Sequence, residues 1–220
     1  PAAQAAESPL SSQHLNVVLI SLDTVRPDHL SCYGYHRKTT PHVDDIAKDG
    51  VIFTQAFSQA PNTFPSHLSL FTSRYPTKQW VFWEGSELES STETLAEILK
   101  GHGYRTAGFT HFFSSSLRPL LEARPFRAFD HLSPGERLEP LPEELFVWLQ
   151  AHRDQPFFLF LHELDAHEPH VLPIGYDAKR FNPGYRGPLP STWPELDAWF
   201  ASVLPSGDEP RSPRTTAALD

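Results

Sequence analysis

Two short uninterrupted apolar runs constrain the fold of this chain more than any other feature: NVVLISL at Asn16–Leu22 and PFFLFLH at Pro156–His162. A strand with one wet face alternates apolar and polar residues. A run without alternation suits a strand buried on both faces, as in a parallel sheet covered by helices. The segments between carry helix signals. Pro41–Lys48 opens on proline, has acidic early turns and stops at Gly50. Pro65–Ser73 reads as a helix opened by its proline. Thr92–His102 starts with Ser/Thr–Glu chemistry, ends before Gly103, and sets Leu95, Ile98 and Leu99 on one face. Pro142–His152 places Leu145, Trp148 and Leu149 in register. Val51–Phe57 and Tyr104–Thr110 read as further strands. Strands alternating with helices predict βαβ units and an α/β fold with a mostly parallel sheet.

Composition narrows the function classes. Among 220 residues, 39% are hydrophobic and 12% aromatic, enough for a packed core and against wholesale disorder. A net charge of −9 argues against a general nucleic-acid binder, which needs a basic face. No stretch approaches the roughly 18 apolar residues of a membrane span. The single cysteine, Cys32, excludes an internal disulfide framework and a multi-cysteine zinc site. Residues 1–15 read as a flexible lead-in, 16–204 as one domain, and 205–220 as a loop and the start of a cut-short helix. The chain starts at Pro1 and contains no methionine, and its opening PAAQAAESPLSSQ is small and polar. That suits a segment left after removal of a signal peptide, so export is an expectation.

In open α/β sheets the chemistry lies beyond the carboxyl ends of the strands, and three places qualify. Asp23 follows the first apolar run, where a carboxylate suits either a hard cation or a turn cap. Arg26 and Asp28 beside it suit an exposed ion pair of small energetic weight. Asn62-Thr63-Phe64-Pro65-Ser66-His67 sets a hydroxyl at the start of a helix, where free amides and the helix dipole favour an anion. The Thr63 oxygen there suits either a nucleophile or a helix cap, and Ser66 is a second capping choice. His162–His170 (HELDAHEPH) packs three histidines and several carboxylates just after the second run. Imidazole there can ligate a metal, bind a substrate oxygen or act as general acid, whereas a merely solvated polar turn is the plainer alternative. Pro169 excludes a regular helix and so a zinc-helix pattern.

Taken in order, these segments resemble the sulfatase family of the alkaline phosphatase superfamily. The stretch from NVVLISLDTVRPDHL through APNTFPSHLSLFTSRYP, the piece LAEILKGHGYRTAGF, and PFFLFLHELDAHEPHVLP carry the likeness, from about Asn16 to Gly187. The resemblance implies a three-layer α/β/α, alkaline-phosphatase-like fold, represented by its N-terminal part and truncated at the C-terminus. It implies a divalent metal (calcium, manganese or magnesium) with Asp23 and Thr63 among its ligands. Thr63 matches the nucleophile position, Ser66, His67, Arg74 and Asp165 match substrate-binding places, and His167 matches a substrate-contacting histidine acting in catalysis. The implied partner is a small-molecule or glycan sulfate or phosphate ester.

The sequence also departs from that pattern. Thr24 stands where many members have a second metal-binding aspartate, His67 where the motif usually has arginine, and Gln79-Trp80 where His-Gly often follows. A downstream D-H-G or D-N-G segment is not found in this chain. Typical members convert Cys or Ser at the Thr63 position to formylglycine. Oxidising threonine, with its extra methyl on Cβ, would give a ketone rather than an aldehyde, so no formylglycine is expected. A plain threonine oxygen can attack directly, which tilts the expected activity towards phosphorus esters. The expectation is a metal-assisted hydrolase of sulfate or phosphate/phosphonate esters. The alternative is a non-catalytic ester- or glycan-binding fragment, or half of a site completed by a missing C-terminal segment.

Overall fold

A computed structural model describes residues 15–79, 89, 91–111, 128–135, 141–167 and 198. The strands are β1 (Val17–Leu22), β2 (Arg105–His111), β3 (His131–Gly135) and β4 (Phe157–Glu163). The helices are α1 (Pro41–Asp49), α2 (Thr63–Thr72), α3 (Pro76–Gln79), α4 (Leu95–Gly101) and α5 (Glu143–Ala151). The strands form one sheet in the order β1-β4-β2-β3. β2 runs parallel to β3, with Ala107 opposite His131, and parallel to β4, with Arg105 opposite Phe157 and Thr110 opposite His162. Non-consecutive neighbours joined through helices are what the alternating sequence predicts.

The chain divides into two compact units, Pro1–Ser21 with Ser58–His162, and Leu22–Phe57 with Glu163–Asp220. In the first, successive residues of β4 point to opposite faces, which produces two cores. Phe158 and Phe160 join Phe64, Leu68 and Phe71 of α2, Ala96 of α4 and Phe129 on one face. Phe157 and Leu159 join Ala107 and Phe109 of β2 and Leu145 and Trp148 of α5 on the other. Helices therefore cover both faces, in three α/β/α layers, and the uninterrupted FFLFL run is their common floor. Phe158, Phe160, Phe109 and Ala96 are fully buried. At about 25 cal/mol per Å² of buried apolar surface, each such aromatic contributes several kcal/mol before its ordering entropy is counted.

Expected and observed elements differ in five places, one of them the short α3, which the sequence does not predict. β1 was expected to be buried on both faces, but Val17 and Leu19 pack on the core while Val18 and Ile20 stand 51% and 55% exposed. Among the described residues β1 lies at one edge of the sheet, and the α5 core reaches β2 and β4 but not β1. Val51–Phe57 forms no strand: it contains a turn, pairs with no strand among the described residues, and leaves Val51, Phe53 and Phe57 exposed. β-rich composition cannot make a strand without a neighbouring ladder. α2 begins at Thr63, two residues before Pro65. Pro65 fits the first turn because its missing N–H is among the amides that have no intrahelical partner there. β3 was not foreseen. Among the described residues β3 lies at the other edge of the sheet, where the missing donor of its Pro134 is tolerated. Residues 1–14, 80, 168–197 and 205–220 lie outside the described residues, and with them the expected lead-in, Trp80, Glu168, Pro169, His170 and the C-terminal loop.

Candidate active site

In the first unit the sheet face under α2 turns from apolar to polar near the strands' carboxyl ends. On β1, Val17 and Leu19 give way to Ser21; on β4, Phe158 and Phe160 give way to His162; on β2, Thr106 and Gly108 lead to Thr110. His162 is 2% exposed and Thr110 is fully buried opposite it. Thr110 Oγ1 has no hydrogen-bond partner among the described residues. The His162 ring lies 4.5 Å from that of His67 and stacks on Phe160. Sequence reading singled out His162 only as part of a histidine-rich turn and passed over Ser21 and Thr110. For Ser21 and His162 the available signal was the switch from apolar to polar at the same end of β1 and β4, whereas β2 is already polar at Thr106 and gives none for Thr110.

α2 supplies the expected nucleophile position. Asn62 is its N-cap with extended backbone, and the first helical bond runs from Ser66 N to Asn62 O, 3.2 Å. The Asn62 side chain makes no capping bond, and the first turn holds no acidic residue. Thr63 is thus the first residue of the helix, half-buried, at the positive end of the helix dipole. Its carbonyl is braced instead. Ser66 Oγ–H donates to Thr63 O at 2.9 Å, and His67 Nδ1 reaches the same oxygen at 2.8 Å. His67 Nε2 lies 2.9 Å from Ser21 Oγ. His67 is 5% exposed and packs edge-on to Phe160. Arg74 follows the helix, exposed, beyond the left-handed Ser73 that ends it.

In the second unit Asp23 directly follows β1 and is half-buried. Its backbone N–H donates to Glu163 O at 2.9 Å, tying it to the end of β4. There Glu163 Oε1 accepts from Leu164 N and Asp165 N at 2.8 and 3.0 Å, and His167 N bonds Leu164 O at 2.8 Å. The first and third sequence-predicted places, Asp23 and the turn bearing Asp165 and His167, therefore lie side by side. Thr24 holds φ 58°, a left-handed conformation that costs a β-branched residue about 1–2 kcal/mol. Arg26 bonds Asp28 at 2.7 Å and holds its carboxyl down at about 2, an exposed pair as the sequence suggested. A hard divalent cation needs six or more oxygen ligands. Asp23 and Asp165 offer suitable oxygens, but among the described residues no group of three or more His, Cys, Asp or Glu is placed to hold a metal.

Comparison with known proteins decides the family. A family model described as Sulfatase matches residues 15–196. The chain belongs to the sulfatase family. An N-acetylgalactosamine-6-O-sulfatase from Bacteroides thetaiotaomicron is 37% identical over 101 residues, which are 44% of this chain and 20% of that protein. Two solved structures share the fold. One is a protein in complex with its substrate D-glucosamine-2-N,6-O-disulfate (TM-score 0.60, 19% identity, 71% of this chain and 35% of that one). The other is the phosphonate monoester hydrolase of Agrobacterium radiobacter (TM-score 0.59, 23% identity, 74% and 43%). This sulfatase-family chain thus spans about a fifth of the relative and less than half of each solved chain. The fold is the mostly parallel, alkaline-phosphatase-like α/β fold expected from the sequence.

Proposed function

We propose that this sulfatase-family protein hydrolyses sulfate or phosphate/phosphonate esters, with the Thr63 hydroxyl as nucleophile. The observation that carries the reading is the start of α2: Thr63 is its first residue, its carbonyl is braced twice, and no side chain of the first turn supplies a competing negative charge. The family match supports ester hydrolysis, and the relatives' substrates suggest a sulfated sugar or a phosphonate monoester as the ligand class. Thr63 Oγ, its proton leaving to water, attacks phosphorus or sulfur, and the bond to the alcohol oxygen breaks. His167 donates a proton or hydrogen bond to that leaving oxygen. Water then cleaves the Thr63 ester and restores the hydroxyl. The amides at the start of α2 stabilise charge on the ester's non-bridging oxygens. Ser66, Arg74 and Asp165 contact the substrate. Asp23 would give one oxygen ligand to a divalent cation, calcium, manganese or magnesium, whose charge would screen that of the ester. No formylglycine takes part, because threonine cannot yield the aldehyde.

The test uses the full-length protein with aryl sulfate, aryl phosphate and aryl phosphonate substrates. Thr63→Ala is expected to lower turnover by roughly 10⁴-fold or more, as loss of a nucleophile does, with the melting temperature nearly unchanged. Turnover retained in that variant would reduce Thr63 to a helix-end hydroxyl. Binding of a sulfated sugar without turnover by the wild type would favour a non-catalytic module. Calorimetric titration with manganese and calcium checks the metal separately, with Asp23→Asn expected to weaken binding by 10-fold or more, on the order seen for lost ligands and their supports.

A further inference from the structure

The His67 ring lies between two oxygens of opposite hydrogen-bonding character. Thr63 O is a carbonyl and only accepts, so His67 Nδ1, 2.8 Å away, carries the proton. With Nδ1 protonated in the neutral ring, Nε2 is an acceptor, and the Ser21 hydroxyl 2.9 Å away is its donor. The result is a directed relay: Ser21 Oγ–H to Nε2, then Nδ1–H to the Thr63 carbonyl. Ser21 sits on β1, so the relay ties the first residue of α2 to the sheet. The ring is held from the sides as well, by His162 at 4.5 Å and edge-on by Phe160 at 6.0 Å. At 5% exposure it has little surface left for a ligand.

We propose that His67 is a positioning residue, which fixes Thr63 at the start of α2 through its Nδ1–H and is itself oriented by Ser21. This role replaces the substrate contact expected from its place in the motif, and it rests on Thr63 being the nucleophile. The physical reason is register. Thr63 lies at a helix end, where fraying moves Oγ, and a misplacement of about 1 Å costs on the order of 100-fold in rate. Ser66 braces the same carbonyl from within the helix and moves with it, whereas His67 links it to a strand.

The test is steady-state kinetics on the full-length protein with aryl phosphate and aryl sulfate, alongside ¹⁵N NMR of the histidine rings. His67→Ala is expected to lower kcat by roughly 30- to 100-fold, in line with lost supporting residues, with KM within about twofold. His67→Asn, whose amide can still donate to Thr63 O, recovers most of that loss. Ser21→Ala lowers kcat by a few-fold. The NMR expectation is that His67 is neutral with its proton on Nδ1 and changes tautomer population in Ser21→Ala. A rise in KM with kcat unchanged would return His67 to substrate binding. His67→Asn no better than His67→Ala, or a proton found on Nε2, overturns the relay. If His67→Ala does not fold, His67→Asn, Ser21→Ala and the wild-type ring shifts decide the question. Thr63→Ala separates the two readings. An active Thr63→Ala ends both, while an inactive one with His67→Ala at the wild-type kcat ends only the positioning role.

Discussion

α2 and α4 pack on the same core, yet their beginnings are built in opposite ways. α4 closes its own start. Thr94 is the N-cap and Glu97 the third helical residue, and they form a capping box: Glu97 N donates to Thr94 Oγ1, and Thr94 N donates to Glu97 Oε2 at 2.8 Å. α2 has Asn62 at the cap with no side-chain bond, and at the third position Pro65, which has neither an N–H to be capped nor a carboxylate to return. Glutamate in one place and proline in the other make the difference. A start with its donors paired and its dipole offset contributes to stability. The start of α2 has neither a side-chain cap nor an acidic residue in its first turn to offset the dipole. The chain supports this uncapped start from behind, through Ser66 and His67 on the Thr63 carbonyl.

The largest effect on this contrast comes from removing its common floor. Phe160→Ala takes away the ring that meets Phe71 at 4.9 Å and His67 at 6.0 Å. Urea unfolding is expected to show a loss of about 3–5 kcal/mol, the usual cost of a buried Phe→Ala change. The caps come next. Thr94→Ala is expected to cost about 1–2 kcal/mol, and Asn62→Ala a few tenths, because only the first removes a capping bond. Equal losses in thermal melts would erase the contrast between the two starts. The helix ends invert it. α4 is followed by Gly103 at φ 87°, while α2 ends on Ser73 at φ 55°. Gly103→Ala should therefore cost about 1 kcal/mol and Ser73→Gly add about 0.5–1, the left-handed penalty less glycine's extra unfolded-state entropy.

The smallest effect is a pH dependence confined to the α4 side. Partial burial raises the Asp130 carboxyl, but Lys100 Nζ at 2.5 Å and the bonds from Thr106 outweigh it and hold Asp130 below its ordinary value of 3.8. A carboxyl lowered on folding stabilises above its unfolded value, and the contribution is lost as pH falls through the folded value. Acid unfolding should thus draw on Asp130 only below about pH 4. Asp130→Asn should flatten that limb and cost under about 1 kcal/mol at neutral pH, since the pair is partly solvated. An unchanged acid limb in Asp130→Asn would remove the ion pair from the account.

Most of the scaffold was legible because its signals are local. The two apolar runs became β1 and β4, Thr94 and Glu97 became a capping box, Gly50 and Gly103 marked helix ends, and Leu145 and Trp148 turned inward together. The failures were non-local. Val51–Phe57 has strand composition but pairs with no strand among the described residues, and β3 has weak composition yet pairs along β2 from His131 to Gly135. Pro65 looked like a helix start because proline is favoured in the first turn, and position one and position three cannot be told apart from the residue alone.

The sequence by itself determined the alternation of strands and helices, the two-sided burial of Phe157–Leu161, and the presence of a hydroxyl, imidazoles and carboxylates at strand ends. Periodicity and capping act over a few residues, so they are written where they operate. Only the tertiary structure decided which polar groups meet. Ser21 and His67 are 46 positions apart, and Thr110 and His162 face each other because β2 and β4 adopt one register. Such contacts depend on strand order and on which face each helix covers, and both are settled by burying the whole apolar surface at once. His67 shows the division: the sequence placed an imidazole four residues after Thr63, and the fold turned it inward, to the Thr63 carbonyl and the Ser21 hydroxyl.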